Sequence, residues 1–187
     1  MADFKINGVT FASESGGVVS LSNANVFPAG HVIQTVIKNQ QIGGGTGTEG
    51  AANETVGNTA TITSTFFNLS ITTKCANSKI HLFAQSPYNY VQSGTGGEYW
   101  FNRNPTTDNI DINRPSGSDG DAALTYTTDA HGNPTSITSI DTPNVASGTT
   151  INYVVKFRRW YGSNSVYWVY DRGSQFGVFI IREIANG

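Results

Sequence analysis

Apolar and polar positions alternate along much of the chain with the period of two that a β-strand imposes. In "HVIQTVIKN", residues 31–39, Val32, Gln34, Val36 and Lys38 stand against Ile33, Thr35 and Ile37, which predicts a strand with one apolar face. "TATITSTFFNLSITT" at 59–73 and "SKIHLFAQ" at 78–85 continue the pattern, with "CANS" as the turn between them. Shorter strands are predicted at "ALTYTT" and "TSITSID", with "DAHGNP" as their connecting turn. In "TTINYVVKFRRW" the spacing sets Ile151, Tyr153, Val155 and Phe157 on one face and Asn152, Val154, Lys156, Arg158 and Trp160 on the other. "GSNS" offers turn chemistry, "VYWVY" returns as the second strand of a hairpin, and "FGVFIIREI" is apolar almost throughout, as in a strand buried on both sides. No segment holds a period near 3.6 over three turns, so almost no helix is expected.

Punctuation between these runs divides the chain. "FKI", "VTF" and "VVSL" are separated by "NG" and "ESGG", and each is too short to stand alone. Residues 1–26 therefore read as an N-terminal arm or small hairpin that docks on a neighbour, and 27–187 as the main domain. The Gly-rich stretch 40–58 reads as a long surface loop, and "PTTDNIDINRP" with "SGSDGD" as a second irregular region. Many short strands at this spacing predict an all-β protein, a two-sheet β-sandwich of jelly-roll type. A last strand that is apolar on both faces points to contact with another subunit.

Composition narrows the function. Of 187 residues only 13% are charged, with 21 glycines, and the helix-favouring residues are scarce. A net charge of -2 provides no basic field, so nucleic acid is not an expected partner. Cys75 is the only cysteine and cannot form an intramolecular disulfide. The sequence has no apolar run of membrane-spanning length, and its N-terminus has none of signal-peptide length, so assembly in a cytoplasm without Sec export and without membrane insertion is expected.

Candidate chemistry is sparse. His31, His81 and His131 lack metal-ligand spacing, and Cys75 has no nucleophile motif around it. Asp108, Asp111, Asp119 and Asp121 could offer oxygens to a hard cation, but the terminal Glu of a calcium loop is missing and acidic turns explain them as well. No catalytic residue, cofactor or metal site is expected, and no enzyme. The densest feature is "KFRRWYGSNSVYWVYD", 156–171. It reads first as two strands with mixed faces. Its second reading is a surface platform of Trp100, Arg158, Trp160, Tyr161 and Trp168, on which the apolar face of a sugar or a protein surface would stack.

Three segments, "FPAGHVIQTV" at 27–36, "TFFNLSITTKCANSKIHL" at 65–82 and "FIIREIANG" at 179–187, resemble in order and spacing the terminal domains of tail fibres and related virion-surface proteins of marine tailed bacteriophages, cyanophages especially. "INGVTFASESGGVVSL" is similar to the lead-in before such domains. The resemblance implies a jelly-roll sandwich, a homotrimer without enzymatic activity, and a place on the virion. The arm would then bind other virion proteins and the distal loops a host-surface glycan or protein. Two alternatives stand beside this one: a head decoration or cement protein that stabilises the capsid, and a free carbohydrate-binding module.

Overall fold

The computed structural model describes residues 2–6, 9–15, 18–21, 29–42, 54–56, 61–91, 93–104, 106–112, 114, 123–127, 131–169 and 175–186. Every regular element among them is a β-strand, and every strand pair is antiparallel. The first three, β1 (Ala2–Ile6), β2 (Val9–Ser15) and β3 (Val18–Leu21), form a sheet of their own in that order. The main body contains β4 (Val32–Ile42), β5 (Glu54–Val56), β6 (Ile62–Thr72), β7 (Lys79–Val91), β8 (Thr95–Arg103), β9 (Ile110–Ile112) and β10 (Ala123–Thr127). It is completed by β11 (His131–Asp141), β12 (Thr150–Tyr161), β13 (Val166–Val169) and β14 (Gln175–Ile184).

Two sheets share the core. The first runs β11, β7, β14, β4; β13 meets the far end of β7 and carries β5 at its other edge. The second runs β10, β8, β12, β6, and β9 pairs the end of β8 that β10 leaves open. Alternation decides what each strand gives to the space between them. Ile80, Leu82 and Ala84 of β7, Phe179 and Ile181 of β14, Tyr99 and Phe101 of β8, and Ile151, Tyr153, Val155 and Phe157 of β12 are all buried in one cluster. Trp168 sits among them, edge-on to Phe67 at 5.3 Å and tilted on Tyr99 at 4.8 Å, while Phe101 stacks on Phe179 at 5.8 Å. Burial of each such side chain contributes about 1.5–3 kcal/mol against the entropy of ordering the strands.

Several sequence expectations change. Val166–Val169 of "VYWVY" is a strand but not the hairpin partner of β12, because β13 belongs to the first sheet and β12 to the second. Gly162, at φ +82°, starts the corner between them; a Cβ there would run into the carbonyl oxygen of Gly94, so the two turns can approach only through glycine. Asn164 then ties the corner down, its backbone N–H donating to Thr95 Oγ1 (3.2 Å) and its amide to the Ser93 carbonyl (2.8 Å). Within the expected loop 40–58, β4 continues to Ile42, and residues 54–56 form β5, held by pairing with β13 rather than by their own pattern. In the second irregular region, Ile110–Ile112 forms β9. The turn expected at "DAHGNP" gives way from His131 onward to strand, and Pro134 is tolerated because it lies at the register shift of an outer strand. In β4, Val36 packs on the core while Ile37 is 55% exposed, so the apolar face read from the sequence is turned outward.

Candidate functional site

The aromatic platform does not assemble at the surface. Trp168 is fully buried in the core, where its Nε1 has no hydrogen-bond partner. Trp100 is 2% exposed on the outward side of β8. Arg158 is half-buried and ion-paired with Glu98. The Trp160 side chain lies outside the described residues. Tyr161 alone is open, at 53% exposure, on the β12–β13 corner beside Asn164.

Trp100 instead belongs to a polar cluster on the outer face of the second sheet, joined there by Asn109, Asp111 and Arg114. Its indole N–H donates to Asp111 Oδ1 (2.7 Å), which also accepts from Asn102 Nδ2 (2.7 Å). Arg114 lies 4.3 Å above the indole ring, pairs with Asp111 Oδ2 at 3.0 Å and reaches Glu98 at 3.5 Å. Lys156 donates to Asn109 Oδ1. β12 is buried on both faces: Tyr153 and Val155 lie in the core, while on the other side Lys156 reaches Asn109 and Val154 stands opposite Asn102. Burial would raise the Asp111 pKa, but bonds from Asn102, Trp100 and Arg114 and the Arg114 charge outweigh it and hold the carboxyl below its ordinary range. Each carboxylate here is held by a cation, which suits a pinned surface layer rather than acid–base chemistry on a substrate.

Of the four aspartates, Asp108 accepts from Asn104 Nδ2 (2.8 Å), Asp111 is engaged as above, and Asp119 and Asp121 lie outside the described residues. Among the described residues no group of three or more His, Cys, Asp and Glu could hold a metal. Cys75 is buried, and burial followed by the nearby Glu183 charge pushes its thiol pKa up, away from a nucleophile's range.

The two ends of the body differ. At the end where the chain enters from the arm, the Gly30 N–H donates to the Ala185 carbonyl (3.0 Å) and the Ala185 N–H to the His31 carbonyl (2.8 Å), and buried Glu183 of β14 gathers the 73–78 turn. Its carboxylate accepts from the backbone N–H groups of Lys74 and Cys75 (2.9 Å each at the shortest), Ser78 Oγ (2.8 Å) and Gln34 Nε2 (2.6 Å). Nearby, the buried Tyr153 hydroxyl donates to Asp141 Oδ2 (2.8 Å), to which Arg103 donates at 2.8 Å, joining the two sheets. Burial and then Asp141 push the Tyr153 pKa far above the ordinary range, so it stays a donor. Tyr161 and the 162–164 corner occupy the opposite end, since β12 starts beside Thr72 and finishes beside Gly96.

The remaining feature is the outer face of the first sheet. Register aligns Ile37, Ile180, Phe83 and Thr138 in one row and Thr35, Arg182, His81 and Ile140 in the next. Ile37 and Ile140 are each 55% exposed, and Ile180 and Phe83 are half-buried. Within these two rows the charge-bearing residue is Arg182, whose Nη1 donates to His81 Nδ1 (3.2 Å); His81 Nε2–H then reaches Thr138 Oγ1 (3.0 Å). The sequence signalled this face through the doubly apolar β14 and through the Ile33, Thr35 and Ile37 side of β4. No known family model and no curated protein matches the chain.

Proposed function

We propose that the chain is a structural protein of a bacteriophage virion, a homotrimeric tail-fibre-type module whose N-terminal sheet attaches it and whose far corner contacts the host surface. The observation that carries self-association is the row Ile37–Ile180–Phe83 on the outward face of the first sheet, an apolar strip spanning three adjacent strands. A monomer gains nothing from leaving it in water.

The jelly-roll assignment finds support in the pairing scheme. Numbering the long strands of the body in chain order, first pairs last (β4 with β14), second pairs seventh (β6 with β12), third pairs sixth (β7 with β11) and fourth pairs fifth (β8 with β10). A ribbon nested in this way and rolled into two sheets is the jelly-roll plan. The virion reading draws on the three segments similar to phage tail-fibre domains, which come together in space: β4 and β7 flank β14, and Glu183 binds Gln34, Lys74, Cys75 and Ser78 at their meeting point. The placement of arm entry and Tyr161 at opposite ends suits a module with one attached and one free end.

Immunogold labelling of intact particles with antibody against the purified protein tests the proposal. Label on the tail or its tip is the expected result. Label over the head would replace it with the capsid-decoration alternative, and unlabelled particles from a phage that encodes the protein would overturn both.

A further inference from the structure

We propose that Lys156 and Asn109 join in an isopeptide bond formed by the chain itself, a covalent brace between β12 and the turn that leads into β9. Lys156 is a cation in an unusual place. It is 9% exposed on the outward side of β12, and its recorded bond goes to a carboxamide, Nζ donating to Asn109 Oδ1. A buried ammonium is ordinarily held by an acid. Here Glu98 and Asp111 are engaged by arginines instead, the first by Arg158 and Arg114 and the second by Arg114. What faces the amine is the carboxamide carbon of Asn109, one bond beyond the oxygen that Nζ touches.

Both reactants are fixed by the backbone. Asn109 has a left-handed conformation, φ +51°, and its N–H donates to the Asn104 carbonyl (2.8 Å), which closes a turn back onto Asn104. That turn is tied to β12 itself: the Asn104 N–H donates to the Asn152 carbonyl (2.8 Å) and the Asn152 N–H to Asn104 Oδ1 (3.0 Å). An amine on one strand and a carbonyl on a turn bound to the same strand meet at a high effective concentration, which lowers the entropic part of the barrier. The carbonyl is also polarised. Asn102 Nδ2 donates to Asn109 Oδ1 (3.2 Å) and is placed to hold the negative charge that gathers there as the amine adds. The same nitrogen donates to Asp111 Oδ1 (2.7 Å), so a carboxylate stands beside the reacting pair.

The step balances within the chain. Nζ gives up a proton to Asp111 and adds to Cγ of Asn109; Asp111 returns the proton to Nδ2, and the Cγ–Nδ2 bond breaks. The two protons that the lysine ammonium sheds end on the leaving nitrogen, which departs as ammonium, and a secondary amide between Cγ and Nζ remains. Nothing is oxidised or reduced. The product holds Asn109, and with it the layer over Trp100, against the second sheet where hydrogen bonds alone would yield.

Mass spectrometry of the purified full chain, folded and then denatured, tests it. The expected mass is that of the sequence, counted with or without Met1, less one ammonia. A digest that cuts the backbone between the two residues should leave the fragments containing Asn109 and Lys156 joined. Lys156→Arg and Asn109→Ala should each show the full mass of their own sequence and separate fragments. The joined fragments are read in the parent chain, so the result stands even where a variant fails to fold. A parent chain at full sequence mass overturns the proposal. Ammonia lost without joined fragments, or lost as completely from Lys156→Arg, overturns it too, because the loss would then come from an asparagine acting without the lysine.

Discussion

His81 shows how a single side chain can make a surface sensitive to acid. Arg182 donates to Nδ1 and the opposite nitrogen, Nε2, faces Thr138 Oγ1, which itself donates to the Leu82 carbonyl; this arrangement needs the neutral ring with its proton on Nε2. Burial, and then the Arg182 charge, lower the His81 pKa below its ordinary 6.5. The unfolded chain therefore takes up this proton at a higher pH than the folded one does. Stability from this source is complete above about pH 6.5 and falls as the pH drops below it, until the folded state is protonated too. The urea midpoint should accordingly decline between about pH 7 and pH 5, and His81→Gln should flatten that decline. An unchanged slope in the variant would assign the titration to other groups. The sequence placed His81 in a strand, but its partners lie 57 and 101 residues away and no local pattern encodes them.

At the scale of elements, Glu183 has the clearest consequence. A carboxylate in a final, mostly apolar strand reads as an interruption; in the fold it is the fixed point onto which the 73–78 turn closes and through which β4, β14 and that turn are joined. Glu183→Ala would leave the Lys74 and Cys75 backbone donors without their acceptor, at about 1–3 kcal/mol for each group left unsatisfied, while the Ser78 hydroxyl keeps the Cys75 carbonyl (3.2 Å). A loss of at least about 2 kcal/mol in urea unfolding is expected, with Glu183→Gln retaining part of it. A loss under about 1 kcal/mol would show that the turn is held by other contacts. Strands with their own pattern were legible in sequence: β4, β6, β7 and β12 fall where period two predicts them, and β14 where the nearly continuous apolar run does. Those that exist because a neighbour needs an edge partner were not. β5 and β9, three residues each, sit in Gly-rich and Pro-bounded stretches whose local signal is loop.

For the whole molecule, period two tells which residues share a face but not which face is inside. That is why Trp100 and Trp168 could be read as a platform and are found buried, and why the apolar edge of β4 faces outward. The all-β class followed from composition and alternation. The course of β12 and β13 into different sheets did not, because "GSNS" would serve a hairpin or a corner equally well, and the choice is made by the contact of Gly162 with Gly94. Two sheets closed around aromatic rings, one outer face roofed by its own polar cluster and the other left apolar, describe a body finished on one side only. The central claim is that other copies of the chain finish the second side. The most direct test is the mass of the purified protein in solution, by light scattering across a dilution series. The account predicts three times the 20.0 kDa chain mass, persisting on dilution; a particle of one chain mass at every concentration would contradict it.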